Sequence, residues 1–394
     1  MIQNSVEFKI GKLIVGNGTK LENANVGVKN GIIKEISTNR LKGEFNETIE
    51  LTNKIVIPGL IDAHCHIKNG PKPEEIKPSD EYMAIRGMEN ARKALMAGVT
   101  SLGEAGANRN QTFSVRNAIN DGITLGPRLF VSGSFISMTG GIARKPGEEL
   151  YEVSGADEAR KAARALLMYY GADFIKLEAT GAINYIHTSP WTIQLTIDEM
   201  RPPCEEAHKL GKKVHAHTYG EKGTQNCIEA GVDAIVHGQG TTEKQFNIMK
   251  ERDLFFLPTL KVFCGHMENI DQEWFGHKKI ATTGVWEQTE PTFRNAVKSG
   301  VMIAMGSDAG DPDNLFGDNP KDLEYMVKWG MTPDQAIIAG TLNAAKSLAV
   351  DNIIGTVEEG KYADMVVLKK DPLKDISRLR TSLEHVILNG QIIN

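Results

Sequence analysis

The chain has 394 residues, of which 41% are hydrophobic and 24% are charged, close to ordinary globular usage. This composition excludes a disordered protein, and no apolar run reaches the roughly 18 residues that suggest a membrane span. Lysine and arginine number 45 against 50 acidic residues, so the net charge of −5 argues against a nucleic-acid partner.

Both ends of the chain carry short apolar runs that are typical of β-strands. Within residues 1–55 these runs are separated by turn residues, and the segment near the C-terminus shows the same alternation of apolar runs and turns. About fifty residues alone would bury little core, so we expect the two ends to pair into one small β-sandwich. We place this domain at 1–57 and 351–394, and a second domain at 58–350.

Between the two ends, apolar runs alternate with helical patterns such as Asp157–Tyr170 and Pro333–Leu348. The eight runs that we interpret as strands are Ile55–His66, Gly98–Glu104, Arg128–Gly133, Asp173–Ala179, Lys213–His217, Ala234–Gly238, Leu254–Thr259 and Met302–Asp308. Eight β/α units with buried, non-alternating strands predict an α/β fold of the TIM-barrel, or (β/α)8, type. A doubly wound sheet is the alternative, but no G-x-G-x-x-G follows the first strand.

The cysteines and the first residues indicate the compartment. No two of the four cysteines form a C-x-x-C pair. Four cysteines in 394 residues are also too few for a fold held together by disulfide bonds. Residues 1–7 lack the basic region and long apolar core of an export signal. We therefore expect a cytoplasmic location, where thiols stay reduced.

Several predicted strands are apolar until near their carboxyl end, where a titratable residue appears. In a TIM barrel these ends converge on the catalytic face. Residues two apart on a strand share a side, so His64 and His66 can both point inward while Cys65 points away. Imidazoles together with a carboxylate suit Zn²⁺ or a similar divalent ion. The residues at these ends are His64, His66, Lys176, His215, His217, His237 and Asp308.

Lys176 needs a separate interpretation because bulky apolar residues flank it in its strand. A buried ammonium without a partner is costly. The amine can reach the barrel rim, or pair with an acidic neighbour such as Glu178. In the third interpretation it has reacted with CO₂ to give a carbamate, an anion able to bridge two metal ions.

These motifs, in this order, resemble the amidohydrolase superfamily over essentially the whole chain. Within it, the chain is most similar to the prolidase-like, imidazolonepropionase-related branch of metal-dependent dipeptidases and carboxypeptidases. The segments that carry the resemblance are Ile57-Pro58-Gly59-Leu60-Ile61-Asp62-Ala63-His64-Cys65-His66, Ile175-Lys176-Leu177-Glu178-Ala179-Thr180-Gly181, His215-Ala216-His217-Thr218-Tyr219-Gly220, His237, Gly306-Ser307-Asp308-Ala309-Gly310 and Gly360–Leu368.

The resemblance implies a centre with two divalent metal ions, for which zinc is the expected metal. One ion would take His64, His66, Lys176 and Asp308. The other would share Lys176, as N6-carboxylysine, and take His217 and His237. His215 lies one layer deeper on the same strand and is interpreted as core or as a support for the ligands.

The same resemblance implies roles in catalysis and substrate binding. Asp308 would act as general base and then as general acid. Tyr219 would donate to the developing oxyanion or to a substrate carboxylate. Loop residues are expected to shape the substrate pocket: Arg144 or Lys145 after the third strand, Asn184, Tyr185 and His187 after the fourth, and Asp311, Asp313 and Asp318 after the eighth.

The loop after the third strand departs from the branch pattern. Members often carry Thr-Gly-Gly-His-Gly-Asp there, whereas this chain has Thr139-Gly140-Gly141 followed by Ile142-Ala143-Arg144-Lys145. The histidine and the aspartate are therefore missing. Arg144 or Lys145 is the candidate source of positive charge in their place.

The predicted function is a metal-dependent hydrolase that cleaves dipeptides or N-acyl amino acids and releases the C-terminal residue, whether proline, arginine, lysine or an apolar amino acid. A hydrolase of cyclic or aryl amides, such as an imidazolone or a toxin amide, is the alternative. A non-catalytic scaffold is a third class, but such proteins usually lose metal ligands. The expected partner is a small peptide-like molecule, with neither nucleic acid nor membrane, and the chain is expected to form a homo-oligomer.

Overall fold

The computed structural model describes residues 5–70, 78–106, 111–141, 151–183, 188–271, 279–310 and 313–394. The strands are β1 (Ser5–Ile14), β2 (Lys20–Lys29), β3 (Ile32–Ser37), β4 (Glu47–Pro58), β5 (Leu60–Cys65), β6 (Val99–Glu104), β7 (Arg128–Val131), β8 (Ile136–Met138), β9 (Tyr151–Val153), β10 (Ile175–Glu178), β11 (Val214–Thr218), β12 (Ala234–His237), β13 (Phe255–Leu257), β14 (Met302–Ile303), β15 (Met365–Leu368), β16 (Leu383–Leu388) and β17 (Gln391–Ile392).

The helices alternate with the middle strands. They are α1 (Asp80–Met96), α2 (Gln111–Asn120), α3 (Ala156–Arg164), α4 (Ile197–His208), α5 (Gly220–Ala230), α6 (Glu243–Glu251), α7 (Leu260–Glu268), α8 (Lys279–Ser299), α9 (Lys321–Lys328), α10 (Pro333–Ile338), α11 (Ala344–Ser347) and α12 (Arg378–Thr381). Within these described ranges, none of the helices combines the length and the apolar character needed to cross a membrane.

Strands from both chain ends form one seven-stranded sheet in the order β17-β16-β15-β4-β1-β2-β3. In β1 the side chains of Val6, Phe8 and Ile10 are buried at every second position, as expected for one face of a strand. The two ends of the chain meet where β4 pairs antiparallel with β15, with Val56 opposite Val367. The prediction that both ends build one β-rich unit is confirmed, while its exact limits stay a prediction.

The middle strands are parallel and close into a barrel. One sheet has the order β5-β6-β7, and the other has the order β14-β13-β12-β11-β10-β8-β9. Backbone hydrogen bonds join the two sheets on both sides: Asp308 N donates to His64 O at 2.8 Å, and Asp173 N donates to Val131 O at 2.8 Å. Together with the surrounding helices, this closed ring confirms the predicted TIM barrel.

The first predicted strand, Ile55–His66, is wrong in extent because the chain changes sheets at Gly59. Gly59 N donates to Asp364 O of the terminal sheet at 2.8 Å, whereas Leu60 N donates to Gly98 O of the barrel at 3.0 Å. A Cβ at Gly59 would lie 2.0 Å from Thr100 Oγ1, so this crossing requires a glycine. The run is therefore two strands, β4 and β5.

Other predicted strands are also too long, among them Leu254–Thr259, which is a strand only over Phe255–Leu257. Arg128–Gly133 ends at Val131, and the short β8 and β9 follow it. Met302–Asp308 is a regular strand over Met302–Ile303 alone. Its later residues still run beside β5, but Asp308 has a φ of +54°, which is incompatible with an extended strand.

The two predicted helical stretches are confirmed as helical but are interrupted. α3 continues into a π-helical turn over Ala165–Tyr169, and another π-helical turn over Ala339–Asn343 separates α10 from α11. α10 begins sharply because Thr332, at the N-cap, and Gln335, in the first turn, form a reciprocal capping box, and Pro333 occupies the first helical position. These helices cover the outside of the barrel strands and leave the carboxyl ends of the strands for the site.

Candidate metal centre

The carboxyl end of β5 and the segment after β14 bring two imidazoles and a carboxylate together. The Nε2 atoms of His64 and His66 lie 3.5 Å and 3.3 Å from Asp308 Oδ1. One potential ligand atom from each of the three residues lies within 4.8 Å of the other two. Cys65 Sγ instead lies 3.6 Å from Gly103 O and faces away, as the alternation along the strand predicts.

A buried aspartate ties these two segments to each other. Asp62 accepts hydrogen bonds from the backbone N of His64 at 3.2 Å and of Ser307 at 2.9 Å. It also accepts from Ser307 Oγ at 2.5 Å and from Asn319 Nδ2 at 2.7 Å. Burial raises the pKa of Asp62, although its hydrogen bonds oppose this change. Since Asp62 contacts the candidate ligand His64 and also Ser307, which precedes the ligand Asp308, it ties together the two segments that carry these ligands.

The second half of the cluster lies on the next strands of the barrel. The rings of His217 and His237 are 4.6 Å apart between centroids, and His237 lies 5.7 Å from His64. Lys176 Nζ donates to Glu178 Oε1 at 2.7 Å, and Glu178 Oε2 lies 3.6 Å from His217 Nδ1. The six residues predicted as metal ligands therefore lie around one end of the barrel.

Three of the histidines have one ring nitrogen fixed by a protein partner. His66 Nδ1 donates to Gly106 O at 3.2 Å, and His217 Nε2 donates to Gly181 O at 2.9 Å. His237 Nδ1 lies 2.8 Å from Thr259 Oγ1. In metal centres such contacts set the tautomer and leave the other nitrogen for the metal. The nitrogens left over are His66 Nε2, His217 Nδ1 and His237 Nε2.

Burial keeps most of these imidazoles neutral. Burial and the charge of Lys176 lower the pKa of His64 well below its usual value. Burial also lowers the pKa of His217. Burial and the charge of His217 together lower the pKa of His237 well below its usual value. Burial lowers the pKa of His66 too, but the hydrogen bond and charge of Asp308 outweigh it and raise the net value. Neutral imidazole is the form that binds metal ions.

The donor set fits a divalent cation of the zinc type. Three neutral imidazoles and one carboxylate converge at the catalytic end of a barrel, and nitrogen and oxygen ligands of this kind suit Zn²⁺. His66 Nε2 and Asp308 Oδ1 lie 3.3 Å apart, so one cation could contact both groups. The residues present are therefore compatible with the predicted metal.

His215, the other histidine of β11, belongs to the barrel core. Its Nε2 donates to Ser347 O at 2.7 Å, and its ring lies 4.8 Å from that of Phe174. Burial lowers the pKa of His215 to about 4, so it is neutral. It packs below the candidate ligands.

Aromatic side chains form one wall of the site. Tyr219 is buried, and its ring is stacked on His237 at 5.4 Å and edge-on to His217 at 4.9 Å. Trp191 lies 6.1 Å from Tyr219 between centroids and is 42% exposed. Phe263 completes the contact with His237 at 5.8 Å. Tyr219 therefore lies beside the candidate ligands, and Trp191 extends the wall toward solvent.

The remaining predicted pocket residues are distributed unevenly. Asp313 is buried with Oδ1 3.5 Å from His266 Nε2, whereas Asp318 pairs with Arg380 at 3.2 Å on the surface. The other six residues lie outside the described ranges: Arg144, Lys145, Asn184, Tyr185, His187 and Asp311.

Sequence reasoning missed three residues that hold the ligands. Glu178 is expected there only as a partner of Lys176, yet it also reaches His217. Asp62 lies two residues before His64, so strand alternation alone could have placed it beside the site. Thr259, which contacts His237, has no comparable local signal because 22 residues separate the two.

Comparison with known proteins gives a consistent result. Residues 55–393 match the amidohydrolase family. An ochratoxinase from Aspergillus niger is 28% identical over 423 aligned residues, covering 97% of this chain and 85% of that protein. An imidazolonepropionase from Thermoplasma volcanium is 25% identical, covering 90% of this chain and 86% of that protein.

Among solved structures, a Xaa-Pro dipeptidase with methionine bound in its active site gives a TM-score of 0.91 at 30% identity. The match covers 99% of this chain and 100% of that one. The fold, the ligand geometry and these matches agree: the chain belongs to the amidohydrolase family.

Proposed function

We propose that the chain is a metal-dependent hydrolase that cleaves the amide bond of dipeptides or N-acyl amino acids and releases the C-terminal amino acid. The observation that carries this proposal is the cluster of His64, His66 and Asp308 at the catalytic end of the barrel. The 30% identity to a Xaa-Pro dipeptidase over the whole chain supports the substrate class.

We propose two divalent ions, with zinc as the metal. His64, His66, Lys176 and Asp308 would hold one, and Lys176, His217 and His237 would hold the other. When bound, such ions lower the pKa of water and polarise a substrate carbonyl. For Lys176 to serve both, its amine must be carboxylated. Its burial at 1% exposure on β10, the strand paired with the His217 strand β11, supports this modification, while the ion pair with Glu178 is the alternative state.

Asp308 and Tyr219 are the proposed acid–base and binding groups. Asp308 Oδ1 lies between His64 and His66, where it can take a proton from the attacking water and return it to the leaving amine. Tyr219, packed on His217 and His237, is placed to donate to the carbonyl oxygen or to the substrate carboxylate.

The aromatic wall favours a substrate with an apolar or prolyl C-terminal residue. Trp191 and Tyr219 present ring surface next to the ligands, and ring faces of this kind pack favourably against apolar and prolyl side chains. Arg144, Tyr185 and His187 stay predictions as further substrate contacts, as do the homo-oligomer and the cytoplasmic location.

Amidation of the substrate C-terminus is expected to lower kcat/KM by about tenfold to a hundredfold. An enzyme that removes a C-terminal residue recognises a free carboxylate, and one charge-assisted hydrogen bond contributes roughly 1.5–3 kcal/mol. The measurement compares matched pairs of free and amidated dipeptides under identical metal loading. Equal rates on both members would overturn the peptidase assignment.

The second candidate, a hydrolase of cyclic or aryl amides, is favoured by the relatives named ochratoxinase and imidazolonepropionase. Such an enzyme would turn over a substrate without a peptide-like carboxylate. Comparison of an imidazolone and an aryl amide with the dipeptides therefore distinguishes the two candidates.

Replacement of His66 by alanine is expected to remove metal and activity together, because it deletes a ligand whose Nε2 faces Asp308. Elemental analysis of the purified variant should show fewer metal ions per chain than the wild type. His208→Ala is the control: His208 pairs with Asp233 at 2.8 Å at the other end of the barrel and should leave metal content unchanged. Wild-type metal content in His66→Ala would contradict the proposed ligand set.

A further inference from the structure

The backbone of Asp308 adopts a conformation that needs support from outside. Its φ is +54°, in the left-handed region that non-glycine residues adopt at a cost. Two other residues at neighbouring strand ends share this feature, His237 at +66° and Thr259 at +50°. A residue held in this region at an active site persists only where its surroundings fix it.

Asn314 supplies this support to Asp308. Its side chain is completely buried, and its Nδ2 donates to Ser307 O at 2.8 Å and to Asp308 O at 2.7 Å. These two carbonyls belong to the peptide groups on either side of the Asp308 Cα, so one amide fixes both torsions of that residue. Gly310 N also donates to Asn314 O at 2.9 Å, which closes the turn.

Lys261 fixes the orientation of that amide. Its Nζ donates to Asn314 Oδ1 at 2.5 Å and to Leu315 O at 3.0 Å, and the lysine is only 6% exposed. Because an ammonium can only donate, Oδ1 must face Lys261 and Nδ2 must face the two carbonyls. A rotated amide would place an oxygen against both carbonyls.

The same lysine connects the two sides of the candidate centre. Lys261 lies two residues after Thr259, whose Oγ1 is 2.8 Å from His237 Nδ1. Its backbone N donates to Asp322 Oδ1 at 2.9 Å, which anchors the start of α7. One short segment therefore holds His237 directly and Asp308 through Asn314.

We propose that Asn314 is a positioning residue that holds the Asp308 carboxylate in its productive orientation, and that Lys261 keeps the Asn314 amide aligned for this task. The inference rests on the proposed function in that it takes Asp308 as the ligand and proton carrier. It adds two residues, on the loop after β14 and on α7, to the machinery of the site.

The test uses two variants of the full chain and one control. Asn314→Asp keeps the shape and the contact with Lys261 but removes the two donated hydrogen bonds. Lys261→Met removes the ammonium and keeps the unbranched stem, which leaves the amide free to rotate. The control is Asn343→Asp, because Asn343 Nδ2 donates at 2.9 Å to Ile303 O at the end of β14, further from the site.

The readouts are the Zn²⁺ affinity of each apoprotein, measured by competition with a chelator, and kcat and KM separately. Asn314→Asp should weaken Zn²⁺ binding by about tenfold to a hundredfold, the range for residues that orient metal ligands, and lower kcat more than it raises KM. Lys261→Met should also weaken Zn²⁺ binding and lower kcat, each by a smaller factor. Asn343→Asp should change neither the Zn²⁺ affinity nor kcat.

Wild-type Zn²⁺ affinity and kcat in folded Asn314→Asp and Lys261→Met would overturn the inference. If Asn314→Asp does not fold, Lys261→Met decides alone. If the wild type binds Zn²⁺ but hydrolyses no dipeptide, the proposed function fails, while the affinities of the three variants still test the positioning role.

Discussion

Asp308→Asn is expected to lower kcat/KM by about a thousandfold or more while leaving the fold intact. General acid–base catalysis alone contributes about 10²–10⁴-fold, and the same carboxylate is a proposed metal ligand. Asparagine keeps the shape of the side chain and the backbone hydrogen bond from Asp308 N to His64 O at 2.8 Å. Steady-state kinetics with saturating Zn²⁺, together with a thermal melt of the apoprotein, separate lost chemistry from lost structure.

Asp318→Asn is the matched control for this variant. Asp318 lies in the same loop region but pairs with Arg380 on the surface, so its replacement should leave kcat/KM within about twofold, since exposed ion pairs contribute little. A folded Asp308→Asn with more than about a tenth of wild-type activity would contradict the role assigned to Asp308.

Lys176→Ala is expected to be inactive and to hold less metal than the wild type. Burial and the charge of Lys176 lower the pKa of His64, His217 and His237, and removal of the Lys176 side chain takes away the group proposed to bridge both ions. Partial recovery of activity with a short carboxylic acid such as acetate or propionate would follow if the missing group is a carbamate. The control is Lys213→Ala, because Lys213 pairs with Asp233 at 2.9 Å at the opposite end of the barrel.

The same variant distinguishes the two states of Lys176. In the structure its amine pairs with Glu178 at 2.7 Å, and if that ammonium is the functional state, a short alkylamine rather than a carboxylic acid should restore activity. Rescue by the amine alone would refute the carbamate. Supply of ¹³C-labelled bicarbonate to the wild type gives an independent check, since a carbamate carbon should be detectable by NMR.

The ligand positions could be predicted from the sequence because they follow local rules. Residues two apart on a strand share a side, which places His64 and His66 together, and parallel strands end at one edge, which brings His237 near them. Each rule needs only the strand itself and its direction. For this reason the barrel and the grouping of polar strand ends could be predicted without knowledge of the packing.

The sheet crossing at Gly59 had no comparable signal. Residues 55–61 are apolar on both sides of the crossing, so the hydrophobic pattern does not show where one sheet ends and the other begins. The Pro58-Gly59 pair is the local mark, and the significance of the glycine depends on the closeness of Thr100, which lies 41 positions further along. Contacts of this kind are set by packing between distant segments.

The supports of the site are non-local for the same reason. Lys261 and Asn314 are 53 positions apart, and neither lies on a periodic face that would indicate a contact. Asp62 is intermediate, because strand alternation could have placed it inward but not against Ser307 and Asn319. Ligands at strand ends are thus more predictable than the residues that orient them.

Metal add-back is the measurement that tests the central claim most directly. Apoprotein prepared with a chelator is titrated with Zn²⁺ while hydrolysis of a dipeptide with a free C-terminal carboxylate is followed. We predict that the apoprotein is inactive and that activity rises with added Zn²⁺ and levels off at two equivalents per chain. Full activity in the metal-free protein, or no activity at any Zn²⁺ concentration against dipeptides and N-acyl amino acids, would contradict a metal-dependent peptidase.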